Sequence, residues 1–356
     1  MIIYLNRGEY ITLNNPLYKG RTIRFKNPDW KGMPEIISFT DYLKWNYTSD
    51  YGYFIRTLHN NGQLPLPWDI YPSSSIDNVK IVDGKYAKKS DESFDMYIIC
   101  EVTFVQNRYY YTYQYLVQGY CNIRSDSNFL YDIDIYDGKY IRLDQPLDEY
   151  LIPVLSKSDY SDIAKSILNN YYSGYHDISY TIDGKFIAEA MGYQIQYVRL
   201  SLNGKIKSKL IFNEKYVTVY DKNDNPIEMF IPSDTILIDI SIMDNANNEI
   251  IHECIHGKLH RLFYYLQSHY RKISRVEIPE FNDYFYTDKQ KECVHWMEIQ
   301  ANSIARDVQL PEDKVSDVVI NYIDKCGEII EFEDYRGLID LISWKYSVTR
   351  YAAKKE

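Results

Sequence analysis

The chain has 356 residues and a formal charge of −10 at neutral pH. Hydrophobic residues at 45% and charged residues at 25% exclude a disordered chain, and no apolar run reaches the roughly 18 residues of a membrane helix. The acidic balance argues against direct nucleic-acid binding through a basic face. The start, Met1 to Arg7, lacks the charged and apolar regions of a secretory signal, so a cytoplasmic protein with no membrane partner is expected.

At roughly 100–200 residues per domain, the length predicts two domains or one large one. The expected class is α+β, with a mainly β domain over residues 1–155 and a second, helix-rich domain over 160–356. In the first, Ser38 or Thr40 caps a helix that runs through Tyr42, Leu43 and Trp45 towards His59 and stops before Pro65. Met96 to Val105 and Tyr109 to Val117 form a hairpin turning at Gln106-Asn107. Tyr109, Tyr111, Tyr113 and Tyr115 alternate, so they share one strand face, expected to pack on a core rather than stack on a ligand. The Asp-Gly-Lys units at Asp83, Asp137 and Asp183 predict turns and helix starts.

Pro146 and Pro153 bracket an expected short helix before the boundary near Ser156. Ser161 then caps a helix carrying Ile163, Ile167 and Leu168, and another helix covers Gly184 to Met191 and ends at Gly192. Four short extended runs follow: Tyr193 to Leu200, Lys207 to Asn213, Tyr216 to Tyr220 and Thr235 to Ile240. Asn203-Gly204 is expected to turn the first two into a hairpin. From Asp244 the pattern is helical, over Asn245 to His260 and onward, Lys291 to Val308, Glu312 to Asp324, and from Asp340 to the end.

The five cysteines (Cys100, Cys121, Cys254, Cys293, Cys326) form no CxxC pair, which excludes a cysteine zinc ribbon. Histidine carries more information, because five of the seven (His252, His256, His260, His269, His295) fall in one 44-residue window. His252-Glu253-Cys254-Ile255-His256 is an HExxH motif. On a helix, residues four apart share a face, so both imidazoles reach one Zn²⁺ while Glu253 stands beside it as general base.

A catalytic zinc site takes three protein ligands and leaves one position for water. Downstream candidates for the third are His260, His269, Glu277, Glu280, Glu292, His295 and Glu298. A metzincin would place a histidine at position 262, which is Leu262, so that class is excluded. Glu298 is the best choice, because it opens a helical stretch with the small residues Ala301 and Ala305; His295 is the reserve. His260 lies a turn beyond His256 and suits support of a ligand better than ligation. His260, His295, Asn302 and Tyr264 are the candidates for orienting a ligand or holding an oxyanion.

His252-Glu253-x-x-His256 with His260, Glu298-x-x-Ala301-Asn302-x-x-Ala305 and Leu310-Pro311 resemble, in that order, the motifs of the ImmA/IrrE family of zinc metallo-endopeptidases. Tyr346 to Ala352 is similar to the helix–turn–helix-like segment that closes such domains, and Asp177 to Gly192 to the helix before their small sheet. The resemblance covers about residue 160 to the end. Cys254-Ile255 departs from the usual apolar-Gly pair, and Gln300 stands where many members have a second glutamate.

The resemblance implies a zincin-like, gluzincin-type fold and Zn²⁺ on His252, His256 and Glu298. It also implies hydrolysis of a peptide bond in a specific protein, such as a DNA-binding repressor, with Glu253 as base. The run Thr235 to Ile240 could offer a sheet edge to that peptide. The 1–155 half is expected to sense a signal or recruit the substrate. The alternative is a catalytically silent zinc-site sensor that acts through that half.

Overall fold

A computed structural model describes residues 36–123, 130–136, 138, 141, 143–172, 181–274, 288–326 and 332–355. It is a mixed α+β protein, with a β-rich first part and helices towards the C-terminus. Two compact units divide the chain. One holds residues up to Val154 together with His260–Val294, and the other holds Leu155–Leu259 together with His295 onward. Sequence reasoning assigned all of 160–356 to one domain; the stretch His260–Val294 instead groups with the first unit. No helix among the described residues is long and apolar enough to cross a membrane.

In the first unit, Ser38 caps helix α1 (Phe39–Asn46) by accepting from the Asp41 amide, and α2 (Thr48–Asn60) follows after a break at Tyr47. Three long strands, β1 (Ser75–Lys88), β2 (Ser93–Gln106) and β3 (Tyr109–Asn122), are antiparallel. With β4 (Leu130–Ile135) and β5 (Pro146–Leu147) they give the order β4-β3-β2-β1-β5. The β2–β3 turn sits one residue later than expected, at Asn107-Arg108. Both residues have positive φ (53° and 68°), the conformation that matches the strand twist of a tight hairpin. The Asp83-Gly84 unit lies inside β1, at a register irregularity, and is not a turn. Pro146 and Pro153 bracket no helix: Pro146-Leu147 pairs as β5, and Leu147 bridges back to Pro153.

One sheet face carries Phe94, Met96, Ile98, Cys100, Val102 and Phe104, all fully buried. Phe39 packs edge-on against Tyr86 and Phe94, at 5.2 and 4.9 Å between ring centroids. The alternating tyrosines lie on this same face. The Tyr115 hydroxyl donates to the Pro65 carbonyl at 2.8 Å and that of Tyr113 to Asp69 at 2.5 Å, so these two pack as expected, whereas Tyr109 at the start of the strand is 68% exposed and does not. Helix α6 (Arg261–Ser274) joins this unit because Gln267 mimics a strand partner. Its side-chain amide accepts from the Ile37 N–H and donates to the Ile37 carbonyl, both at 2.9 Å.

The second unit opens with α3 (Lys157–Tyr171), which begins four residues before Ser161. Ser156 and Asp159 form a capping box there, an earlier start signal than the serine chosen from sequence. Helix α4 (Gly184–Ala190) is capped by Asp183, as its Asp-Gly-Lys unit suggested. Strands β6 (Gln194–Val198), β7 (Ser208–Ile211) and β10 (Thr235–Asp239) form a sheet of order β6-β10-β7. The expected β6–β7 hairpin is therefore absent, with β10 lying between its two arms, parallel to β6 and antiparallel to β7. Every residue of β10 is buried, as the central strand of a small sheet must be. That also removes β10 as an edge for a peptide.

A second hairpin pairs β8 (Lys215–Tyr220) with β9 (Pro226–Ile231) and closes a cluster of Leu200, Ile211, Val217, Val219, Ile231 and Leu237. The helices α5 (Asn247–Leu259), α7 (Asp288–Gln309), α8 (Glu312–Cys326), α9 (Phe332–Tyr346) and α10 (Arg350–Lys355) complete the order. Leu310, Val315, Val318, Ile339, Ile342, Tyr346 and Ala353 pack together at the C-terminal end. There α9 and α10 are joined by a short turn, with Ser347 at φ 52°.

Asp239 closes β10 and caps a short 3-10 helix, Ile240–Asn245, that precedes α5. One of its oxygens accepts from the Leu200 amide at 2.8 Å; the other accepts from the Ser241 amide and hydroxyl at 2.9 and 2.6 Å. Burial pushes this carboxyl up, and those hydrogen bonds outweigh it and hold its pKa below the ordinary value. Replacing it by alanine strands a buried donor and removes charge-assisted bonds. Asp239→Ala is expected to cost about 2–4 kcal/mol in denaturant unfolding. A carboxyl with a lowered folded pKa contributes its full stability above the unfolded pKa of about 3.9 and loses it as pH falls through the folded value. The gap between wild type and variant should therefore be constant near neutrality and shrink below about pH 4.

Candidate metal centre

Helix α5 is buried almost all round. Ile250, Ile251, Cys254 and Ile255 are at most 1% exposed, and Leu259 follows at the end of the helix. It is seated by a close approach: the Gly184 amide donates to the Asn247 side chain at 2.6 Å, which in turn donates to the Ile182 carbonyl at 2.8 Å. A Cβ on Gly184 would lie 2.9 Å from the Asn247 carbonyl oxygen, so the smallest residue is needed where α4 starts against α5. On this helix His252 and His256 share a face. Their Nε2 atoms are 2.9 Å apart, with ring centroids at 4.6 Å and planes inclined by 67°.

Helix α7 brings the third group. Met297, Ala301, Ile304, Ala305 and Val308 are buried at helical spacing, and Gln309 donates to Asn248 of α5 at 2.7 Å. Glu298 is thereby set with Oε2 at 3.4 Å from His252 Nε2 and Oε1 at 3.2 Å from His256 Nε2. The two histidine side chains are 13% and 5% exposed, whereas that of Glu298 is 47% exposed, so the cluster is open on the carboxylate side.

These three side chains form a group that can hold a metal ion. Their donor chemistry fits one. Two imidazole nitrogens and a carboxylate converge, and a tetrahedral ion with bonds near 2.0–2.1 Å would separate its ligand atoms by about 3.3 Å. The observed 2.9, 3.2 and 3.4 Å bracket that value. The electrostatics agree. Burial opposes charge on His252, but Glu298, Glu253 and Glu249 together raise its pKa above the ordinary value. Burial likewise pushes the Glu298 carboxyl up, and hydrogen bonds to both histidines overcome this and hold it far below the usual carboxylate range. The cluster attracts positive charge.

Glu253 is 7% exposed, and the Ser208 hydroxyl of β7 donates to its Oε1 at 2.7 Å. Ser208 was not foreseen from sequence, since a serine between two lysines carries no motif. Glu249 was also missed, although its position one turn before Glu253 is a signal on any helix. Its carboxylate lies 3.7 Å from the Lys207 ammonium.

The other sequence candidates do not enter the three-residue group. His295 and Glu292 are exposed on α7. Asn302 is exposed, and its side-chain amide donates to the Glu298 carbonyl at 2.8 Å, a contact internal to the helix. His260 is fully buried and belongs to the first unit with Tyr264, whose amide donates to the His260 carbonyl at 3.2 Å. His269 contacts the Ile123 carbonyl, also within the first unit. Glu277 and Glu280 lie outside the described residues. All five cysteines are free, and Cys254 is buried with its thiol pKa pushed up by burial, so it is no nucleophile.

Comparison with protein-family models, with curated proteins and with solved structures gives no match.

Proposed function

We propose that the protein is a zinc-dependent endopeptidase of the ImmA/IrrE kind, with His252, His256 and Glu298 as ligands and Glu253 as general base. The observation that carries this reading is the convergence of those three ligand groups beside a buried glutamate supplied by the same HExxH helix. Zinc held there would act as a Lewis acid and lower the pKa of a water towards about 7.

The chain's own residues do the rest. His252 and His256 use two imidazole nitrogens and so leave the ion most of its charge. Glu298, the more exposed of the three, closes the set from α7. Glu253 accepts the proton of the attacking water and returns it to the leaving amine. Ser208 steadies one Glu253 oxygen, leaving the other for that proton transfer. A protein substrate, such as a transcriptional repressor, and a zincin-type fold are part of the same proposal, as is a cytoplasmic setting.

Metal removal gives the direct test. Full-length protein purified without chelator should contain about one zinc per chain, lose peptide cleavage on dialysis against a strong chelator and regain it when zinc is restored. Protein that carries no zinc and cannot be loaded with it would end the proposal. Zinc at one equivalent with no cleavage of any protein or peptide would leave the silent sensor instead.

A further inference from the structure

We propose that the segment Lys205–Lys209 selects the substrate of this site, and that the peptide it takes carries acidic side chains interleaved with apolar ones. The inference rests on the peptidase reading above. The sheet order β6-β10-β7 puts β7 at the end of its sheet, and Ser208 in β7 touches the base Glu253. A polypeptide reaching that base therefore passes the residues next to Ser208.

Those residues are Lys205-Ile206-Lys207-Ser208-Lys209, three lysines with no acid, in a chain whose net charge is −10. Lys205, Ile206 and Lys207 are exposed. The Lys207 ammonium is held near Glu249 at 3.7 Å, at the margin of an ion pair, with 59% of its side chain open to solvent. A peptide carboxylate can take over that ammonium at little cost, since an exposed pair at this distance contributes only about 0–1 kcal/mol. Between the lysines Ile206 stands 41% exposed, and Leu202 in the preceding turn 52%. A surface that alternates ammonium and aliphatic groups is complementary to an acidic, apolar extended segment. It repels a basic one, which gives discrimination of both signs.

The test uses the full-length, zinc-loaded Glu253→Gln chain, so that peptides are bound and not consumed. Two fluorescein-labelled peptides are compared by anisotropy, one with glutamate at alternate positions among apolar residues and a twin with glutamine in its place. The glutamate peptide should bind about fivefold tighter at low salt, with the advantage fading as ionic strength rises. Adding Lys205→Gln and Lys207→Gln should bring the two affinities together at unchanged zinc content. Equal affinities in the chain with both lysines, a preference that survives their loss, or no binding of either peptide would overturn the proposal. The peptidase reading is scored separately with Glu253 intact. Zinc-bound protein that prefers the glutamate peptide without cleaving any peptide would refute that reading alone, whereas cleavage of both twins at equal kcat/KM would refute this one alone.

Discussion

Glu253→Gln should retain its zinc and lose cleavage by about 10²–10⁴-fold, the usual contribution of a positioned general base. The substitution is close to isosteric. Ser208 can still donate to the remaining side-chain oxygen, so the buried hydroxyl keeps its partner and α5 keeps its seat. His252, His256 and Glu298 are untouched, so metal analysis should give the same stoichiometry in both proteins. The loss should fall on kcat with little change in KM, because the proton moves only in the transition state. A variant that cleaves as fast as wild type would remove Glu253 from the chemistry. A variant that loses its zinc would show that this carboxylate holds the helix together and would leave the base unidentified.

The parts of this site that sequence exposed are those whose geometry is local. His252 and His256 meet because four residues make one helical turn, and no tertiary information enters that step. Glu298 needed more: it is 42 residues beyond His256, and what pointed to it were the small residues Ala301 and Ala305 behind it together with the resemblance of that stretch to a family motif. Ser208 was invisible, since its contact with Glu253 depends on which strand borders β10. The same limit explains the mistaken β6–β7 hairpin. Asn203-Gly204 is a sound turn signal, and Gly204 does take φ 64°, but a turn does not oblige its arms to pair with each other. Strand β10, with Ile236, Leu237 and Ile238 at its centre and every residue buried, lies between them instead. The reassignment of α6 has a comparable cause, because one side chain, Gln267, binds the Ile37 backbone across 230 residues. Nothing in the local pattern of that helix marks which unit it will join.

Glu298→Ala should release the metal, and this separates it from His295, the reserve choice for third ligand on the same helix. Removing Glu298 leaves two imidazoles and takes away the only carboxylate in the three-residue group, the one held ionised by both histidines. Losing an outer partner of a zinc ligand typically costs about 10–100-fold in affinity, and losing a ligand should exceed that. In a competition titration against a chromophoric chelator, the zinc affinity of Glu298→Ala is expected to fall more than about a hundredfold. His252→Ala should behave in the same way. His295→Ala, exposed and outside the group, should leave the titration unchanged. Melting curves sharpen the distinction, since a bound ion stabilises the fold by RT ln(1 + [L]/Kd). Excess zinc should raise the Tm of wild type and His295→Ala alike and leave His252→Ala and Glu298→Ala unmoved. If His295→Ala loses the zinc and Glu298→Ala keeps it, the third ligand is His295, and α7 must turn by about 60°, the angle between helix positions three apart, to present it. A shift of that kind would carry Ala301 and Ala305, both fully buried, towards solvent. The packing of α7 and the identity of the third ligand are thus one question, and the chelator titration answers both.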